Sequence, residues 1–147
     1  MASLTALLSE IRACTICAEH LPLGPRPVFQ VHPSVRVLIA GQAPGRKVHE
    51  SGVPFDDASG DRLRIWLRVS RETFYDARQV AILPMGFCFP GTGKSGDLPP
   101  RDDWPPGVPL PHPSPPNSIW LKRNPRFEED LLPVLRAHVA KLLKNEG

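Results

Sequence analysis

The sequence is poor in cysteine, methionine and tyrosine, and it lacks any long apolar run. Three cysteines cannot all pair with one another in disulfides, and in an intracellular chain they favour metal binding or simple burial. No stretch of eighteen apolar residues occurs, so no membrane-spanning helix is predicted. The first residues include Glu10 and no basic leader, which argues against a secretory signal. We therefore expect a cytoplasmic protein.

Proline, by contrast, is abundant. The chain has 19 prolines among 147 residues, whereas about 5% is usual. Half of the residues from Pro99 to Pro116 are proline, which excludes a helix or a central strand there. The hydrophobic share of 41% and the charged share of 22% are ordinary for a soluble domain. We treat residues 1–147 as one domain, whose net charge of +3 permits a polyanionic partner without requiring one.

Two short apolar runs predict the strands of a sheet. Residues 35–40 and 80–83 are nearly continuous in apolar side chains, as in strands that are buried on both faces. Because loops and helical patterns follow each run, the alternation indicates an α/β domain in which the two strands are parallel and adjacent or near-adjacent.

The helical patterns lie between and around these runs. Leucines and an isoleucine recur at helical spacing over residues 4–13, which predicts an amphipathic helix. Ser59 is expected to cap a helix over residues 61–69. Asn124-Pro125 is typical of a helix start, so a final helical region is expected there, broken or restarted at Pro133.

A glycine- and proline-rich loop follows the first predicted strand. It consists of Gly41, Gln42, Ala43, Pro44 and Gly45. In open α/β sheets ligands bind just outside the carboxyl ends of the strands, and glycine lets the backbone approach a ligand closely. The loop is therefore a candidate binding element, although a strand-to-loop turn without a ligand explains it equally well.

Three motifs resemble the uracil-DNA glycosylase superfamily, close to its iron–sulfur family 4 enzymes. Residues 41–60 resemble their first active-site block, and residues 112–115, His-Pro-Ser-Pro, resemble the second signature. The Cys-x-x-Cys after the first helix and the Cys-x-Pro at residue 88 resemble their cluster ligands. The positions that match the first block at the same spacing are Gly41, Pro44, Gly45, Gly52, Pro54, Phe55 and Gly60.

The resemblance implies a fold, which is a three-layer α/β/α sandwich with a short parallel sheet. It also implies a function in DNA repair. A monofunctional, monomeric DNA repair glycosylase would flip uracil out of DNA and hydrolyse its N-glycosidic bond. Phe55 would stack on the base, and residues 41–45 would meet its edge and the sugar. His112 would donate to O2 of the departing uracil anion. The DNA-binding loop would consist of Ser114, Pro115, Pro116 and Asn117.

The sequence departs from the family at the groups that activate water and read the base. Ala43 stands where family 1 enzymes have an aspartate, and Val48 where family 4 enzymes have a carboxylate. Glu50 or His49 could substitute if the loop shifts, but a solvated charged loop is an equally good interpretation of Glu50. Pro84 replaces an asparagine that reads uracil in family 4, which puts the base preference in question.

The resemblance implies that Cys14, Cys17 and Cys88 bind a [4Fe–4S] cluster. Such a cluster normally has four cysteine ligands, but no cysteine follows Cys88. With His20 as a fourth ligand, the same three cysteines would suit zinc instead. Three buried free thiols are the remaining alternative.

A short spacing separates the motifs. Family members carry several tens of residues between the proline-rich loop and His-Pro-Ser-Pro. In this chain only ten residues, 102–111, lie between Arg101 and His112. Either an internal segment is deleted near residues 101–102 or residues are omitted there.

Three other functions compete with an active glycosylase. One is a zinc-stabilised nucleic-acid-binding module, and another is a degenerate paralogue that binds DNA without cleaving it. The third is a P-loop at Gly93-Lys94-Ser95, which lacks the first glycine of that motif because Cys88 occupies its position.

Overall fold

The computed structural model describes residues 3–98 and 118–144, except for the side chains of Ser118 and Trp120. The helices are α1 (Leu4–Arg12), α2 (Arg46–Ser51), α3 (Ala58–Leu67), α4 (Arg71–Tyr75), α5 (Ser118–Arg123) and α6 (Leu132–Lys144), with a 3₁₀ turn at Ala18–His20 and a π-helical turn at Phe127–Leu131. The strands are β1 (Val37–Gly41), β2 (Val80–Pro84), β3 (Thr92–Gly93) and β4 (Gly96–Asp97).

The two predicted strands form a parallel pair. Their register runs from Val37 opposite Val80 to Gly41 opposite Pro84, so the predicted pairing is confirmed. Gln30 bridges the other edge of β2 in the antiparallel sense, since its N–H donates to the Ile82 carbonyl at 2.9 Å and its own carbonyl accepts in return at 2.7 Å. The protein thus has an α/β fold around a short parallel sheet, as predicted.

Burial differs between the two strands. Val80, Ala81 and Ile82 of β2 are almost fully buried, whereas Leu38 of β1 is 59% exposed. The prediction of burial on both faces is therefore confirmed for β2 and wrong for β1. Within the described ranges β1 pairs with β2 alone, so it is an edge strand, and the face that carries Leu38 is open to solvent.

Helix α3 has other ends than predicted, and α2 forms where a loop was expected. Asp57, not Ser59, caps α3, because its Oδ1 accepts the Gly60 N–H at 2.9 Å. Ser59 lies inside the first turn and is buried. Residues 46–51, a candidate charged loop, instead form α2, which ends at Gly52 in a left-handed conformation with φ of 72°.

The hydrophobic core lies between the sheet and helices α3 and α6. Trp66 stacks edge-on against Phe127 with ring centroids 5.0 Å apart. The helix α6 begins at Leu132, so Pro133 occupies its first turn, where the missing N–H costs no helical hydrogen bond. The π-helical turn leads into α6 without a break, so Pro133 marks a change from π to α geometry and does not interrupt the helical region. The buried members of the core are Leu63, Trp66, Leu67, Phe74, Val80, Ile82, Phe127, Leu132 and Val139.

The helices in the described part of the chain are too short or too polar to cross a membrane.

Candidate functional site

The carboxyl ends of β1 and β2 form one edge of the sheet. Gly41 ends β1 opposite Pro84. The pairing then continues beyond the strands, because Met85 donates its N–H to the Gly41 carbonyl and Gly86 to the Gln42 carbonyl, each at 2.9 Å. The loop of residues 41–45 and the loop after β2 therefore lie side by side. In open α/β proteins, ligands bind at this edge of the sheet.

The ring of Phe55 lies against Gly41 at this edge. A Cβ built on Gly41 would stand 3.8 Å from both Cε2 and Cζ of Phe55. Phe55 is half-buried, and its ring contacts Phe74 edge-on with centroids 6.2 Å apart. The structure thus brings together Phe55 and the 41–45 loop, two parts of the predicted site that are ten or more residues apart in sequence.

The backbone at Phe55 adopts an unusual conformation. Its φ is 55°, in the left-handed region that costs a non-glycine residue about 1 kcal/mol or more. Gly60 makes room for it, because a Cβ there would lie 1.7 Å from the Phe55 carbonyl oxygen. The glycine that closes the first motif is therefore required by the close packing of α3 on residue 55.

Two side chains of α4 hold the loop on either side of Phe55. The Tyr75 hydroxyl donates to the Pro54 carbonyl at 2.8 Å, and Arg71 donates to the Asp56 carboxylate at 3.0 Å. The Arg71 hydrogen bond lowers the pKa of Asp56 below its usual value. The strained residue is therefore fixed through both of its neighbours.

The buried arginine Arg64 supports Tyr75 from behind. Arg64 is only 7% exposed, pairs with Asp61, and donates to the Tyr75 hydroxyl oxygen at 3.3 Å. Its guanidinium also lies 5.3 Å from the ring centroid of Phe74. Burial raises the pKa of Tyr75, although the charge of Arg64 opposes the shift. Tyr75 thus stays protonated and can donate to Pro54.

A carboxylate that the sequence analysis missed lies beside the 41–45 loop. Asp97 Oδ2 accepts the Arg46 N–H at 3.1 Å, where α2 begins, and its Oδ1 accepts the Thr92 hydroxyl at 3.0 Å. Asp97 belongs to the β3–β4 hairpin, 51 residues after Arg46 in the chain. Its hydrogen bond with the Arg46 N–H therefore places it beside the loop by a long-range contact. The hairpin also excludes the P-loop interpretation, because Gly93-Lys94-Ser95 leads into β4 and not into a helix.

The far end of α2 is held by Arg26. Its Nη1 donates to the carbonyls of His49 and Glu50, at 2.6 and 2.9 Å. The side chain of Glu50 is exposed. That of His49 packs near Phe89, with ring centroids 6.0 Å apart, and its buried Nδ1 finds no hydrogen-bond partner among the described residues. The two candidates for water activation thus stand in different environments.

The sequence of the site region matches a known family. The model of the uracil-DNA glycosylase superfamily matches residues 28–105, more than half of the chain. This chain belongs to the uracil-DNA glycosylase superfamily. The matched range contains the 41–45 loop, Phe55, Gly60 and Cys88, and it ends before His112. Membership supports a function of the DNA glycosylase type, with DNA as the partner and DNA repair as the setting.

The second predicted block of this glycosylase-superfamily chain is the His-Pro-Ser-Pro motif with the residues that follow it. His112, Ser114, Pro115, Pro116 and Asn117 lie outside the described residues, so their predicted roles stay predictions.

The three cysteines of this superfamily member differ in exposure. Cys14 and Cys88 are half-buried and Cys17 is exposed. Burial raises the pKa of the Cys88 thiol, and the Cys14 and Cys17 thiols add to the rise, while the Arg26 backbone N–H opposes it. Three soft donors fit zinc or iron in type. In the described ranges, however, no three His, Cys, Asp or Glu side chains are arranged to hold a metal ion.

Proposed function

We propose that this protein excises uracil from DNA by flipping the base and hydrolysing its N-glycosidic bond. The observation that supports this most is the ring of Phe55 held against Gly41 at the carboxyl end of β1. A flipped base needs an aromatic face on which to stack, and such stacking contributes about 1–3 kcal/mol per base.

The 41–45 loop is proposed to meet the base edge and the sugar. Gly41 has no side chain, so a bound base could approach its backbone closely. The Phe55 ring lies beside the same residue. Gln42 has an exposed side chain and Pro44 a buried one. In this arrangement Pro44 anchors the loop, and the Gln42 amide is free to hydrogen-bond a polar edge.

The barrier is proposed to be lowered mainly at the departing base. Cleavage leaves a uracil anion, so a preorganised donor at its O2 stabilises the transition state more than the ground state. We assign that donor to His112, phosphate binding to Ser114, and insertion into the duplex to Pro115, Pro116 and Asn117, all from the second motif.

Water activation is assigned to Glu50. Its carboxylate is exposed on α2, and Arg26 fixes the carbonyl of the same residue. An oxocarbenium-like transition state needs little help from a base, so Glu50 contributes less than His112 in this proposal.

Cys14, Cys17 and Cys88 are proposed to hold a [4Fe–4S] cluster. Such a group would link the chain after α1 to the loop after β2, and its role would be structural. Zinc, with His20 as the fourth ligand, is the alternative.

A glycosylase-like protein that binds DNA without excision is the second candidate. Pro84 favours it, because this residue pairs with Gly41 at the edge of the site and offers no side-chain amide to read a base.

One experiment separates the two candidates. A duplex oligonucleotide with one uracil is incubated with excess protein and then treated with alkali. Nicking at the uracil supports excision, whereas binding to the duplex without nicking supports the second candidate. Phe55→Ala should reduce nicking about tenfold or more, because a stacking platform is lost. Leu23→Ala, at an exposed leucine outside the site, is the matched control and should leave nicking unchanged.

A further inference from the structure

A cavity lined by arginines lies at the carboxyl end of α3. Its volume is about 680 Å³, and Arg64, Arg68, Arg71 and Arg136 line it together with Asp61. These five residues define the arginine cleft. It is distinct from the site at the carboxyl ends of β1 and β2, where Gly41 and Phe55 of the first motif lie.

Three of the four arginines are held in place by their neighbours. Arg136 of α6 donates from Nε to the Trp66 carbonyl at 2.8 Å. Arg64 pairs with Asp61, and Arg71 pairs with Asp56 at 3.0 Å. Each guanidinium carries five N–H donors. The cleft is therefore preorganised and keeps donors for a further acceptor.

The fourth, Arg68, stands at an unfavourable backbone position. It follows α3 with φ of 55° and ψ of 45°, the left-handed conformation in which helices usually end on glycine. Its side chain is exposed. In the described part of the chain this side chain makes no hydrogen bond or ion pair, and Arg68 is held through its backbone alone, whose N–H donates to the Ile65 carbonyl at 3.2 Å.

The charge in and around the cleft is positive. Four guanidinium groups face two carboxylates, those of Asp61 and Asp56. A second cavity of about 270 Å³ shares Arg68 and Arg136 and adds Lys144. The basic surface thus extends from α4 along α6.

We propose that the arginine cleft binds backbone phosphates of the DNA strand that carries the target base. The proposal rests on DNA being the partner and, for the target base, on the proposed function. Asp56, the partner of Arg71, is the neighbour of Phe55, so the cleft adjoins the base site. The ten residues of α3 span about 15 Å, which corresponds to about four nucleotides of one strand.

The test measures binding to a uracil-free duplex as a function of salt. Arg68→Gln should weaken binding roughly tenfold in dilute salt, and it should reduce the slope of log K against log salt by about 0.9, as expected for one lost phosphate contact. Arg12→Gln is the matched control, since exposed Arg12 ends α1 and lines neither cavity, and its loss changes the net charge equally. Equal effects of the two substitutions, or no effect of Arg68→Gln, would overturn the proposal.

A second variant separates binding from folding. Arg68→Gly removes the charge and suits the left-handed backbone, so it should raise Tm by roughly 2–4 °C while it weakens duplex binding as Arg68→Gln does. Weaker binding together with a lower Tm would indicate a structural role and contradict the proposal. Excision is scored separately with the uracil duplex. If the Arg68 variants bind the duplex more weakly but the wild type excises no uracil, phosphate binding by the arginine cleft is supported and the proposed function is refuted.

Discussion

At the scale of single residues, Gly60 determines whether Phe55 can occupy its place. A Cβ at residue 60 would lie 1.7 Å from the Phe55 carbonyl oxygen, and backbone cannot yield as a side chain does. Gly60→Ala should therefore lower the free energy of unfolding by about 2 kcal/mol or more, measured by urea denaturation. Gly24→Ala is the control, because Gly24 has a φ of 77° and open space around its Cβ position, so only about 1 kcal/mol of backbone strain is expected. Equal losses in the two variants would show that the contact with Phe55 is not limiting.

Tyr75 is the residue through which α4 positions the Phe55 loop. Tyr75→Phe keeps the ring but removes the hydroxyl that donates to Pro54 and accepts from Arg64. We expect a loss of about 1–2 kcal/mol in stability and roughly tenfold slower single-turnover excision, since small displacements of positioning groups reduce rates steeply.

The control for this prediction is Ser70→Ala. The Oγ of Ser70 caps the same helix, because it accepts the Thr73 N–H at 3.0 Å. Its removal should lower the free energy of unfolding by a similar amount, about 1 kcal/mol. Tyr75 has no positioning role if both variants slow excision equally at equal stability.

Asp76 should make the stability of the fold depend on pH. Hydrogen bonds from Arg78 and then Gln79 lower the pKa of this carboxyl from 3.8 to about 2. Because the folded-state pKa is depressed, the contribution of Asp76 is present above about pH 4 and disappears as the pH falls through about 2. The difference in Tm between wild type and Asp76→Asn should therefore be constant from pH 5 to 7 and vanish near pH 2. Parallel Tm curves over the whole range would contradict this origin of the effect.

At the scale of elements, the strands were predictable and the short helix α2 was not. Continuous apolar runs with loops behind them identify β1 and β2, although β1 starts two residues later than predicted because Val35 donates its N–H to the His32 carbonyl in a turn. Helix α2 has only six residues, too few for a hydrophobic period. Its two ends are bound by Asp97 and Arg26, and local sequence does not reveal such distant partners.

The cysteines join two elements, so the proposed metal site is tested at this scale. Cys14 and Cys17 follow α1, and Cys88 follows β2. If a cluster binds them, the purified protein should show a visible absorbance band that bleaches on reduction, and chelation should lower Tm, because binding energy at such a site is folding energy. Colourless protein that contains zinc would establish the alternative metal. Protein without metal whose Tm is unchanged by Cys88→Ser would refute both.

At the scale of the whole molecule, the sequence indicated which residues of the first motif lie together, but it did not indicate the contacts that support them. The spacing of Gly41, Phe55 and Gly60 identified the family, and the structure brings these residues together. No sequence pattern indicated Arg64, Tyr75 or Asp97, because each acts through a contact with a distant part of the chain. Patterns in sequence report local periodicity and motif spacing. They do not report which distant side chain reaches a given carbonyl.

The central claim is that this chain cleaves uracil from DNA, and single-turnover excision tests it most directly. With protein in excess over a uracil-containing duplex, the wild type should generate an alkali-labile site at the uracil. His112→Ala should slow that step by roughly 10²–10³-fold, because one preorganised donor to the leaving anion is lost. Its affinity for undamaged duplex should barely change, since phosphate contacts dominate that affinity. An undiminished rate in His112→Ala would refute the role of His112, and the absence of any alkali-labile site with the wild type would contradict the claim itself.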